Sequence, residues 1–80
     1  MPKNSLLDMV RRLMAVDEAL ADEEGLEVGP FAAHWGVDVR TIERRDLRVL
    51  TALGRTHRRV QVGEGEFVLR YAAGVERLFR

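Results

Sequence analysis

Cysteine is absent from the 80 residues, so disulfides, thiolate catalysis and cysteine-held metal all drop out. No apolar run approaches the roughly 18 residues needed to span a membrane, and no membrane partner is expected. The start, Met1-Pro2-Lys3-Asn4, lacks the basic-then-apolar layout of a secretory leader, which makes a cytoplasmic setting the expectation. Histidine occurs only at His34 and His57, without carboxylates at ligand spacing, so neither a metal nor another cofactor is expected. Ser, His and Asp fall at no hydrolytic spacing, and so short a chain has little room for a substrate pocket. Acidic pairs such as Asp17-Glu18 and Glu23-Glu24 read as a solvated helix end. The expectation is a non-enzyme. Repeats, low-complexity runs and linkers are missing too, and the length allows one domain, residues 1–80.

Net charge is also zero, which at first argues against a nucleic-acid partner. The charges are segregated, however. Residues 1–30 hold seven acids against three bases, whereas residues 31–80 hold ten arginines against six acids. Seven of those arginines lie between positions 40 and 59, and Lys3 is the one lysine. Arginine suits bidentate contact with phosphate and guanine. A solvated face or a biased codon usage produces the same enrichment, so this feature points without deciding.

Ser5 with Asp8 three residues later predicts a helix N-terminus. Leu6, Val10, Leu13, Met14 and Leu20 continue it at helical spacing, with Asp8 and Arg12 as an i,i+4 pair on its polar side. Gly25 is the expected C-cap after Glu24. Leu26-Glu27-Val28 alternates as a short strand would, and Pro30 suits the first position of a short helix over 30–35 that Gly36 stops. Phe31, Trp35 and Ile42 are expected to pack between that helix and the next. Asp38 is the expected N-cap of a helix over 39–53, closed by Gly54. The period then changes to two. Val60 and Val62 in one run, and Phe67, Leu69 and Tyr71 in the next, flank a glycine-containing loop, Gly63-Glu64-Gly65, which predicts a hairpin. The tail from Ala72 to Arg80 is compatible with helix.

At about 100° per residue, the helix over 39–53 divides into two sides. Val39, Ile42, Val49, Leu50 and Leu53 share an apolar arc. Arg40, Thr41, Arg44, Arg48, Thr51 and Arg55 lie opposite. A helix that turns arginines and threonines away from its core suits a groove lined by phosphates and base-edge acceptors. Two helices joined by a glycine turn would let the second project into a major groove.

The segment Val37-Asp38-Val39-Arg40-Thr41-Ile42-Glu43-Arg44, followed by Asp46-Leu47-Arg48 and a leucine-rich end closed by Gly54, resembles the winged helix-turn-helix of DeoR-type repressors. It is most similar to the N-terminal domain of WYL-domain transcription regulators. The resemblance covers 5–71 in element order and 37–54 in motif. It implies an α+β, mostly α, fold: three helices, a short strand and a C-terminal β-hairpin wing. It also implies sequence-specific binding of double-stranded DNA, with the helix over 39–53 in the major groove and the wing, 57–71, on the backbone. The expected contacts are Arg40, Thr41, Arg44, Arg45, Arg48 and Arg55, with His57, Arg58 and Arg59 at the start of the wing. Those last three equally suit the solvated end of a strand. Family members commonly carry a further ligand-sensing domain, so a longer regulator is one expectation.

One departure stands out. Arg44-Arg45-Asp46 occupies the place where the family pattern has a single Arg-Asp. On a straight helix Asp46 would point inward and Leu47 outward, and a local bulge would reverse this. The first helix is apolar at Leu6, Leu7, Met9, Val10, Leu13, Met14 and Val16, more than one seam requires. That surplus fits either pairing of two copies or fuller burial within the domain. A winged helix serving protein–protein contact or dimerisation, with the acidic first helix as docking surface, is the alternative function.

Overall fold

The computed structural model describes residues 5–79; Met1–Asn4 and Arg80, the last residue of the expected tail, lie outside it. Helix α1, Leu6–Ala21, begins where the cap predicts, with the Ser5 side chain accepting from the Asp8 amide at 3.2 Å. It stops three residues short of Glu24. Asp22 turns to extended backbone and its carboxylate accepts the Glu24 amide at 2.9 Å, a local bond that competes with further helix. Gly25, at φ 74°, then brings the chain flat against the hairpin. A Cβ there would lie 2.8 Å from Val68 Cγ2 and 2.9 Å from the Leu69 carbonyl oxygen, so only glycine fits. The short strand is a single bridge, Leu26 to Leu69, closed by reciprocal bonds of 2.8 and 2.9 Å.

Val28 belongs not to that strand but to helix α2, Val28–Trp35. Pro30 is therefore its third residue rather than its first, at no cost in hydrogen bonds because the first amides of a helix have no intrahelical acceptor. Phe31 N closes the first turn onto Glu27 O at 3.0 Å. Gly36, at φ 66°, ends α2 as expected.

Asp38 caps the next helix, its carboxylate accepting from Arg40 N at 2.8 Å. This third helix comprises α3, Val39–Thr41, a π turn, Ile42–Asp46, and α4, Leu47–Ala52. Backbone angles stay helical at Thr41, Ile42, Asp46 and Leu47, so the three pieces form one continuous rod. Across the π turn Leu47 N donates to Ile42 O, five residues back. The bulge sits at the extra residue. The third helix ends on Gly54, φ 83°, with Arg55 N on Leu50 O at 2.8 Å and Gly54 N on Thr51 O at 3.0 Å, the paired bonds of a Schellman end.

Strands β1, His57–Gly63, and β2, Glu66–Tyr71, pair antiparallel with His57 opposite Tyr71 and Val60 opposite Val68. The loop is two residues, Glu64-Gly65, rather than three, because Gly63 still pairs with Glu66 across a bulge after Gln61. The described tail contains no helix. It turns at Gly74, φ 81°, and binds α1 through the Asp17 carboxylate, which accepts from Leu78 N at 2.7 Å and Phe79 N at 2.8 Å. The result is a small, mostly helical α+β domain of three helices and a C-terminal two-stranded hairpin. Among the described residues no helix is long and apolar enough to cross a membrane.

Val16, Leu20, Leu26, Ala32, Ile42, Leu47, Leu50 and Tyr71 form the core. Ile42 is fully buried as expected and Phe31 packs on the core, while Trp35 is half-buried and stacks on Phe31 at 6.2 Å between centroids. Val49 and Leu53 do not join the core, because the π turn brings Leu47 and Leu50 inward in their place; Val39, ahead of the turn, is exposed as well. Asp17 is fully buried rather than solvated, and the Tyr71 hydroxyl donates to the same carboxylate. Burial, then that bond and the Asp17 charge, push the Tyr71 hydroxyl well above its ordinary pKa of 10.0, with the Arg55 charge pulling the other way.

Candidate nucleic-acid interface

Arg40, Arg44, Arg45 and Arg48 are all exposed on the third helix, and Thr41 is half-buried beside them. None of the four guanidinium groups is in an intramolecular ion pair with a described carboxylate, which leaves their donors available to an outside anion. Discounting the extra residue in the π turn, Arg48 falls within about 20° of Arg40 around the helix axis. Arg40, Arg44 and Arg48 thus make a row along the side facing away from the core. Arg45 departs from that row. It lines an apolar cleft with Leu6, Met9, Val10 and Leu13 of α1 and Val49 of α4.

Arg55 is not brought to this row. It follows Gly54, beyond the helix, and is half-buried with its Nε enclosed and lacking a hydrogen-bond partner. Its charge acts on Tyr71 instead. The glycine end changes the chain direction there, so extrapolating the helical wheel past Leu53 misplaced it.

Across the other flank of α4 lies a groove walled by Glu43, Leu47, Arg48, Thr51 and Ala52 on one side and His57 of β1 on the other. His57 is half-buried and its Nδ1 is enclosed without a hydrogen-bond partner. Arg58 and Arg59 are exposed at the base of the hairpin. The Arg59 guanidinium lies 4.8 Å over the Phe67 ring, a diagonal cross-strand contact that fixes the side chain on the hairpin face. Glu64 and Glu66 at the far end of the hairpin are exposed and would repel phosphate.

No family model, curated protein or solved structure matches the chain. The chemistry of the site has to be taken from its own residues. Those residues are cationic donors on one helix face, two further arginines on an adjacent strand, and between them a groove open to solvent. Among the described residues no cluster of His, Asp and Glu could hold a metal ion.

The residues that order this surface are charged and buried. Arg12 does not pair with Asp8; it crosses to the third helix, its Nε 2.7 Å and its second terminal nitrogen 3.2 Å from the Asp46 carboxylate. The side chains are 3% and 6% exposed. A signal was present in the spacing: Arg12, Val16 and Leu20 fall four residues apart, on one helix face.

Proposed function

We propose that this chain binds double-stranded DNA through a winged helix-turn-helix of the kind found in DeoR-type repressors and WYL-domain regulators, and acts in transcription regulation. The third helix enters the major groove and presents Arg40, Arg44 and Arg48 to base edges and phosphates. The hairpin lies along the backbone with Arg58 and Arg59, and His57 in the groove between. The observation that carries this reading is the row of unpaired arginines on the face turned away from the core. A phosphate-lined groove supplies the acceptors that such a row lacks among the described residues of the domain. The acidic hairpin tip keeps the wing on the backbone rather than deep in a minor groove.

Duplex titration against salt tests it. Affinity is expected to fall steeply with salt, and Arg44→Ala and Arg48→Ala each to lower affinity by about 1–3 kcal/mol and the log–log slope by about 1. A flat salt dependence, or a slope unchanged in both variants, rejects DNA binding.

A second reading has its own observation. Leu6, Leu7, Val10 and Met14 of α1 are exposed, Leu6 at 76%, and Leu6 and Val10 line an apolar cleft with Val49 of the third helix. An exposed apolar face of this kind marks an interaction surface and suits a second copy of this chain. Such a dimer would read half-sites about one DNA turn apart. Leu7→Glu with Met14→Glu is expected to abolish self-association in sedimentation equilibrium without duplex. A chain already monomeric near millimolar concentration rejects the dimer alone.

A further inference from the structure

The third helix carries two candidate inward faces, and the fold uses one. A buried helix face recurs at steps of four, three and four. Counted from Ile42 along an unbroken α-helix, those steps select Ile42, Asp46, Val49 and Leu53. With one residue discounted across the π turn they select Ile42, Leu47, Leu50 and Gly54. The second set is the one inside: Ile42 and Leu50 are fully buried and Leu47 is 5% exposed, while Val49 and Leu53 stand 44% and 52% exposed. The straight register would bury Val49 and Leu53 in place of Leu47 and Leu50 and keep every bond of the α ladder. It would also turn Asp46 toward the apolar core. In the observed register Asp46 instead sits on the flank that α1 covers, where Arg12 meets it with two hydrogen bonds.

We infer that Arg12 and Asp46 are positioning residues that select the register of the recognition helix. Their pair holds the π turn and aligns Arg48 with Arg40. In the straight register everything after Asp46 turns by about 100° about the axis, moving Arg48 from about 20° to about 80° away from Arg40. The functional consequence rests on the DNA-binding reading; the register itself does not. Replacing both partners by apolar residues of similar reach removes the charge without leaving a buried orphan. The double variant Arg12→Met with Asp46→Leu then completes the straight face as Ile, Leu, Val, Leu.

The absence of cysteine supplies a clean reporter. Val49→Cys and Leu53→Cys, each placed in the natural chain and in the double variant, are labelled with a thiol reagent. In the natural chain both react freely. In the double variant labelling is expected to slow by at least about tenfold, because burial withholds the thiol, and duplex affinity to fall by at least about tenfold with relaxed base preference. A purely structural ion pair would not exchange which side chains are protected. A folded double variant that labels as fast as the natural chain overturns the inference.

Deletion of Arg45 gives a second variant, needed if the double variant does not fold. It removes the extra residue and leaves Leu47 and Leu50 inward on a regular helix, so both reporters are expected to stay reactive. Slow labelling in that folded deletion overturns the two-register account. Exchange of protection with no duplex binding in any variant keeps the register inference and rejects the DNA reading.

Discussion

Two aspartates are buried in this domain, and they are satisfied in opposite ways. Asp46, on the third helix, faces a full positive charge on Arg12. Asp17, on α1, is hydrogen-bonded among the described residues only to neutral donors: the Tyr71 hydroxyl and the backbone amides of Leu78 and Phe79. The first arrangement ties two helices together by charge. The second gathers α1, the hairpin and the tail at one carboxylate. A buried charge is costly unless paired or hydrogen-bonded, and the two sites differ in what is left behind when the aspartate goes.

That difference sets the order of effects. Arg12→Ala strands the Asp46 carboxylate in the interior and is expected to cost about 3–5 kcal/mol in urea unfolding, a large share of the stability of so small a domain. The sharper comparison uses one substitution at both places. Asp46→Asn leaves an uncompensated guanidinium and is expected to cost about 3 kcal/mol. Asp17→Asn leaves neutral donors, two of them only partly buried, and is expected to cost about 1–2 kcal/mol. Equal losses at the two sites would break the distinction. Smallest is Tyr71→Phe, at about 1 kcal/mol.

Tyr71 adds a pH signature that separates the two regions further. Its pKa in the fold is raised above the ordinary 10.0, so folding favours the neutral phenol. The stability this contributes is complete below about pH 10 and is lost as pH rises further, at about 1.4 kcal/mol per pH unit while the folded group stays protonated. Thermal unfolding between pH 9 and 11 is expected to show that decline in the natural chain and not in Tyr71→Phe. A decline of the same steepness in both would remove Tyr71 as its source.

Much of the local structure was legible in the residues. Ser5 and Asp38 cap the helices they were expected to cap, Gly36 and Gly54 end theirs, and the change to a period of two marks the hairpin. Such features are settled within four or five neighbours. The misread charges have partners far along the chain. Arg12 and Asp46 are 34 positions apart, and Asp17 and Tyr71 are 54; a charged side chain reads as solvated until its partner is known. Val49 and Leu53 were assigned inward by a wheel that assumed an unbroken helix. The extra residue at Arg44-Arg45-Asp46 signalled the bulge, and Leu47 at 5% exposure against Val49 at 44% is its result. Pro30 was misplaced because proline is tolerated through the whole first turn, not at one position only.

The described part of the tail after β2 has neither helix nor strand, and by shape alone its amides would exchange with solvent in moments. Two of them are held instead by the Asp17 carboxylate, on the interior side of the longest helix. Exchange at Leu78 and Phe79 is expected to be slower than in the rest of the tail, because each amide must first leave that carboxylate. Because the same carboxylate also takes the Tyr71 hydroxyl, those two amides report on the joint between the first helix and the hairpin.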